Sequence, residues 1–292
     1  MPYMSVFKDD LFKDQIVLVT GGGSGIGRCI AHELSALGAQ IIISGRSQDK
    51  LDKVVSEITE DGGIAHSYSF DIRNEDAVKN AVSQMILEVG PVSHLVNNAG
   101  GQFAARLEDI SVNGWEAVVK NNLTGGFLVA REILKQSMKE TGGSIVNIVA
   151  DFWNSMPNMG HSGAARAGMV NFTKTAALEW AHYGVRVNAV APGIIASSGL
   201  DTYDDAHKKT ILSRAQKMPT KRLGTESEIS AAVAFLLCPA ASFISGETLR
   251  VDGAVPNSTI NYEVPDHNRL PAYEGFHRID DSDFIKKLKQ QA

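Results

Sequence analysis

Short runs of apolar, mostly β-branched residues recur along the chain, separated by longer stretches in which apolar residues return every three or four positions. QIVLVT (15–20), QIIIS (40–44), AHSYSF (65–70), VSHLVN (92–97), SIVNIV (144–149), VRVNAVA (185–191) and ETLRV (247–251) read as seven strands. Several are apolar at successive positions, the pattern of parallel strands buried on both faces between layers of helices. A helical stripe is clearest at Ala165, Met169, Phe172 and Ala176, spaced by four, three and four. This β-α-β alternation predicts an α/β protein with a Rossmann-like, doubly wound, seven-stranded parallel sheet. One domain is expected over residues 1–253, with a long polar loop at about 196–225 that lacks a strand and carries short helices. A Pro-, Asn- and Tyr-rich C-terminal extension (254–292) follows, ending in a charged helix candidate at 282–290.

Composition narrows the class. The 292 residues are 43% hydrophobic and 21% charged, the balance of an ordinary globular domain. A net charge of −5 argues against nucleic acid as a partner, because such binding needs a basic surface. Cys29 and Cys238 stand far apart and without metal-ligand spacing, so they read as reduced thiols. The N-terminal MPYMSVFKDDLFKDQ has charges in every turn and no apolar core of a signal peptide. No stretch approaches eighteen uninterrupted apolar residues, so no membrane partner is expected, and the compartment expected is the cytoplasm.

The first chemistry-bearing motif is VTGGGSGIGR (19–28), between the first strand and the first helix. Gly21, Gly25 and Gly27, with Ser24 and Ile26 among them, form a turn that brings a helix N-terminus and its free N–H groups against a pyrophosphate. The bland alternative is a tight βα connection. At the end of the second strand Ser44-Gly45-Arg46 stands where an acidic residue would bind a ribose 2′-hydroxyl. A guanidinium there suits a 2′-phosphate, so NADP(H) is expected over NAD(H).

With Thr20-Gly21…Gly25-Ile26-Gly27, Asp71-Ile72, Asn97-Asn98-Ala99-Gly100, Asn122-Leu123 and Pro192-Gly193 in this order, the chain resembles the short-chain dehydrogenases/reductases over residues 15–253. The resemblance implies that Asp71 and Ile72 lie beside the adenine and Asn98, Ala99 and Gly100 beside the ribose. It also implies that Pro192, Gly193 and Ile195 flank the nicotinamide, that residues 196–225 border the substrate, and that the assembly is a homotetramer. NNAGGQF (97–103), HSGAARAG (161–168), LGTESEIS (223–230), PAASFISG (239–246) and YEVPDH (262–267) are similar to peroxisomal trans-2-enoyl-CoA and 2,4-dienoyl-CoA reductases. ADFWNSMP (150–157) with GHSGAARAGM (160–169) is closer to bacterial dehydrogenases of acyclic-terpene (citronellol-type) catabolism.

Most of that family uses Ser, Tyr and Lys together; here the matching positions hold Ala150, Ser162 and Arg166, and only the helix asparagine, Asn122, is kept. None of the six tyrosines lies between Asn97 and Tyr183. Alcohol oxidation needs a base for the hydroxyl proton, and a serine is too weak without another base behind it. Reduction of a C=C bond conjugated to a thioester demands less, because hydrogen-bond donors can hold the charge that gathers on the thioester oxygen.

The residues expected around the reacting atoms are Asn122, Ser162 and Asp151, with Arg166 on the cofactor. Asp151 directly follows the fifth strand beside Phe152 and Trp153, where partial desolvation would raise its pKa; a helix cap or Asx turn is the alternative. His161, and Tyr203 in the long loop, are weaker candidates. The first expectation is an NADP(H)-dependent reductase of trans-2-enoyl-CoA or 2,4-dienoyl-CoA type substrates. The second is a dehydrogenase of terpenoid or medium-chain alcohols or aldehydes, and a third is a cofactor-binding protein that has lost catalysis.

Overall fold

The computed structural model describes residues 3–202, 205–259, 261–279 and 283–291. Six strands come first in the chain: β1 (Ile16–Thr20), β2 (Gln40–Gly45), β3 (Ile64–Ser69), β4 (His94–Asn97), β5 (Gly143–Ile148) and β6 (Val185–Pro192). Two further strands, β7 (Ile195–Ala196) and β8 (Gly224–Thr225), pair only with each other, and β9 (Thr248–Val251) completes the main sheet. That sheet is parallel throughout, in the order β3-β2-β1-β4-β5-β6-β9. The order reverses between β1 and β4, which opens a crevice at the C-terminal ends of those two strands.

Helices cover both faces. They are α1 (Gly25–Ala36), α2 (Gln48–Glu60), α3 (Glu75–Glu88), α4 (Val112–Val119), α5 (Gly125–Ile133), the one-turn α6 (Lys139–Thr141), α7 (Gly160–Glu179), α8 (Asp205–Ala215), α9 (Glu226–Leu237) and α10 (Asp283–Gln291). π turns at Lys120–Thr124 and Leu134–Met138 join α4, α5 and α6 into one run. Alternation along the central strands feeds two cores. Val17 and Val19 of β1 pack with Ile30 and Leu34 of α1 and Val233 of α9, whereas Leu18 faces Val82 of α3 and Ile133 of α5. Burying each such side chain contributes roughly 1.5–3 kcal/mol.

Six of the expected strands appear with shifts of at most one residue at either end, and the fourth, expected at 92–97, begins two residues late at His94. The loop expected to lack a strand does not lack one: Ile195–Ala196 and Gly224–Thr225 pair in parallel and pinch its base. Within it lie a 3₁₀ turn (Ser198–Thr202) and α8. Two-residue strands carry no periodicity, so the pattern of the sequence cannot announce them.

The C-terminal extension returns over its own chain. Tyr273 Oη donates to Met4 O (2.7 Å), Phe276 N donates to Ser227 Oγ (3.1 Å), and Ile285 of α10 is buried with Leu200, Ala215, Met218 and Leu223 of the long loop. Both cysteines are buried and free. Among the described residues no helix is long and apolar enough to cross a membrane.

Candidate active site

The glycine turn sits at the crevice between β1 and β4. Gly21 and Gly25 have φ of +65° and +56°, a left-handed conformation that costs other residues strain. A Cβ on Gly27 would come within 2.4 Å of both Asn98 Nδ2 and Gly21 O, so that position admits only glycine. One hydroxyl ties the two strand ends together. Thr20 Oγ1 accepts the backbone N–H groups of Asn98 and Ala99, each at 3.0 Å, while Asn98 Nδ2 donates to Thr20 O (3.0 Å) and Gly21 O (3.2 Å).

Ser24 holds the N-cap of α1 without a side-chain capping bond, and no acidic residue occupies the helix's first turn. Its first N–H groups and the positive end of its dipole are therefore available to an anion. A cavity of about 380 Å³ opens against Gly23, Ser24 and Gly25 and is lined also by the cations Arg28, Lys50 and Lys53 and by Glu226. Ile26 packs on the core beneath.

At the end of β2, Ser44 is fully buried, and its carbonyl accepts Gly22 N at 3.2 Å. Its hydroxyl has no partner among the described residues. Arg46 is exposed and close enough to Asp71 to help hold that carboxyl below its ordinary range. The larger cause is Arg73, whose guanidinium donates to both Asp71 oxygens. Ile72 is buried against Gly125, where a Cβ would meet its side chain at 2.7 Å. These groups fit a dinucleotide: a cradle closed to side chains, an uncapped helix end, and cations from α2 and just beyond β2.

The centre lies on the other side of β4. Asn122, in the π turn, accepts Gly101 N at Oδ1 (3.0 Å) and donates from Nδ2 to Gly101 O (2.7 Å) and Val118 O (3.0 Å). Its amide thus grips the Gly100–Gly101 turn. A Cβ on Gly100 would lie 2.6 Å from Asn122 Oδ1 and 2.7 Å from Arg166 Nη2, so these three residues meet. Arg166 Nη1 donates to Ile148 O (2.7 Å), and its Nε is buried without a partner among the described residues. Desolvation lowers its pKa to about 10, which still leaves it charged near neutrality.

Ser162 is fully buried, and its hydroxyl donates to Gln102 Oε1 (2.5 Å). The neighbouring His161 accepts Ser162 N at Nδ1 (2.9 Å) and meets Phe103 edge to face at 4.5 Å. Its Nε2 is buried with no partner among the described residues.

Asp151 takes a different place. Its backbone N–H donates to Pro192 O (3.2 Å), and its Oδ1 is buried without a partner among the described residues. Burial first, and then the Asp252 carboxylate, push its carboxyl above the usual range, against a Trp153 backbone N–H and Arg250. Gly193 donates its N–H to Val251 O (2.9 Å) and packs on Asp252, while Ile195 is buried in β7. Tyr203 lies outside the described residues.

Three contributors escaped the sequence: Gln102, which holds Ser162; Lys50, whose Cβ lies 3.2 Å from where one on Gly23 would be; and Asp252, which acts on Asp151. Each reaches its partner only through the fold. Only Gln102 had a local signal, two residues after the Asn98-Ala99-Gly100 motif.

A doubly wound sheet with a dinucleotide cradle at its switch point and a polar centre beside it defines an oxidoreductase of the nicotinamide-dependent class. A family profile described as Enoyl-(Acyl carrier protein) reductase matches residues 21–255. The chain is 33% identical over 240 residues to a probable 2,4-dienoyl-CoA reductase of Bacillus subtilis, covering 81% of this chain and 94% of that protein. Among solved structures it is 56% identical to a citronellol catabolism dehydrogenase (AtuB) of Pseudomonas aeruginosa, with a TM-score of 0.78 over 86% of this chain and 99% of that one. A putative NAD(P)-dependent gluconate 5-dehydrogenase from Beutenbergia cavernae, with bound NADP, is 30% identical, with a TM-score of 0.79 over 86% and 100%. The chain belongs to the short-chain dehydrogenase/reductase family.

Proposed function

We propose that the protein is an NADP(H)-dependent reductase of a C=C bond conjugated to the thioester of an acyl-CoA type substrate. The observation that carries this reading is Ser162: where the family's phenol is expected, a buried hydroxyl hydrogen-bonds Gln102. Such a group can turn its single O–H from Gln102 to an oxygen that gains charge, but it cannot serve as a base for an alcohol near neutral pH.

The cofactor would be held by Gly21, Ser24, Gly25 and Gly27 at its pyrophosphate, by Arg46 and Lys50 at a 2′-phosphate, and by Arg166 with Asn98, Ala99 and Gly100 at the nearer ribose. Bound there, it would supply the hydride that the reduction needs. Asn122 keeps the Gly100–Gly101 turn in place, Ser162 and Gln102 face the thioester oxygen, and Asp151, protonated more readily than a free aspartate, gives the proton to the α-carbon.

A second reading, a dehydrogenase of terpenoid alcohols or aldehydes, is favoured by the 56% identical relative of citronellol catabolism. There Asp151 would act as the base. Turnover of NADPH and NADH with a trans-2-enoyl-CoA, run beside the oxidation of citronellol-like alcohols, separates the two. The first reading expects NADPH consumption with the thioester; activity on the alcohols alone would sink it. Asp151→Asn is expected to slow the chemical step at least about a hundredfold. An unchanged rate removes Asp151 from the mechanism.

A further inference from the structure

The profile of the family ends at residue 255, yet the chain continues, and the continuation returns to the cofactor crevice. The cavity against the glycine turn is lined not only by Ser24, Lys50 and Lys53 but also by Ile279 and Ile285. Both belong to the extension. Ile285 is 2% exposed and shares a small apolar cluster with Leu200 and Leu223, so it fastens the long loop as well as walling the cavity.

Just before Ile279 the extension is latched to the helices that carry the cradle. Arg278 Nε and Nη2 donate to the two oxygens of Asp61 at the end of α2 (2.9 and 2.8 Å), and Nη2 also reaches Glu60 (3.1 Å). His277 Nε2 meets Asp61 Oδ2 at 2.8 Å. The Phe276 ring is 3% exposed, with the Arg28 guanidinium 5.0 Å from its centroid and the His32 ring at the same distance. Arg28 lines the same cavity and is fixed by both oxygens of Glu57 on α2 (2.8 and 2.9 Å). A bidentate guanidinium–carboxylate pair and a buried aromatic anchor hold one geometry far better than scattered surface contacts.

We propose that the C-terminal extension is part of the cofactor site: a strap, latched at Phe276–Arg278, whose Ile279 and Ile285 close the pyrophosphate side of the dinucleotide pocket and slow cofactor exchange. The proposal rests on the cofactor reading above. A ligand entering between the glycine turn and Ile285 meets the cations Arg28, Lys50 and Lys53, the Glu226 carboxylate and the apolar Ile279 and Ile285. Solvent is kept from the phosphates, which strengthens the charge contacts made by Lys50 and Lys53. Opening the latch exposes that side of the ligand, so its loss should appear in the dissociation rate rather than in the association rate.

The test uses the full chain and two variants, Arg278→Gln, which breaks the latch at a partly exposed residue, and Ile285→Ala, which opens the wall. Dissociation of NADPH is followed by stopped-flow fluorescence, with NADH alongside, and thermal unfolding is recorded for each protein. Expected is an increase of about fivefold to tenfold in the NADPH dissociation rate for both variants, with Arg278→Gln unfolding near the parent temperature. Arg278→Lys, which keeps one charge, should restore part of the effect. Unchanged dissociation rates in both variants overturn the strap. A change in Ile285→Ala alone overturns the latch. If the parent binds NADPH and NADH equally, the NADP(H) preference falls while the strap stands. If it binds neither, the cofactor reading and the strap fall together.

Discussion

Gly100 shows how closely this centre is built. A methyl group there would press on Asn122 Oδ1 and Arg166 Nη2, and of the two the guanidinium, at the far end of a long side chain, is the one that can shift. Asn122 is fixed by bonds to Gly101 and Val118, while Arg166 is held through Nη1 to Ile148 O. Gly100→Ala should therefore displace the guanidinium, raise KM for the cofactor about tenfold, and cost roughly 1–3 kcal/mol of stability. Steady-state kinetics at saturating substrate, with a denaturant titration, checks both; a parent-like KM would show that Arg166 does not hold the cofactor. At this scale the sequence displayed the glycines, Asn98 and the replacement of tyrosine and lysine by Ser162 and Arg166. It could not display which groups answer them. Gln102 and Asp252 lie 60 and 101 residues from Ser162 and Asp151 and meet them only once β4, β5 and β9 lie in one sheet.

The elements that were legible are those with a period. The seven strands and the last helix, expected at 282–290 and found at Asp283–Gln291, follow from β-branched runs and charge patterning. The π turn around Asn122, the β7–β8 pair and the path of the extension carry no local signal. Thr225 marks where several of these meet. Its hydroxyl accepts Glu228 N (3.2 Å) and donates to Tyr273 O (2.7 Å), and its N–H donates to Glu228 Oε2 (2.9 Å). Glu228 in turn binds Arg222, which reaches Leu270 O and Pro271 O of the extension. The helix cap is thus also the joint between long loop and strap. Thr225→Val keeps the shape and removes the hydroxyl, and should cost about 2 kcal/mol: one for the cap and one for the lost bond to Tyr273. Urea unfolding measures it, and a variant as stable as the parent would mean that Thr225 neither caps α9 nor joins the extension.

For the molecule as a whole, pH is the variable that reaches the junction of strap and domain. His32, between Glu57, Asp61 and Phe276, is 3% exposed, and burial lowers its pKa to about 4 even though Glu57 and Asp61 oppose that shift. His94, packed against Phe12, is lowered to about 4 by burial and by Arg186. A folded-state pKa below the unfolded value of 6.5 means that the unfolded chain takes up the proton first as pH falls. Each histidine therefore leaves stability untouched above about pH 6.5 and removes roughly 3 kcal/mol as pH falls toward 4. Glu57 and Asp61 are depressed, so their contribution is lost only at lower pH, as these carboxylates take up protons. Glu33 and Asp151 are raised and act in the opposite sense, gaining stability as they protonate. Because these carboxyl terms overlap, the total profile does not isolate the histidine, but a difference profile does. Subtracting the unfolding free energy of His32→Gln from that of the parent should leave a curve that rises by roughly 3 kcal/mol between pH 4 and 6.5 and is flat above. A flat difference throughout that range would mean that His32 titrates alike in the folded and unfolded chains, and that the ring does not stand neutral beneath Phe276.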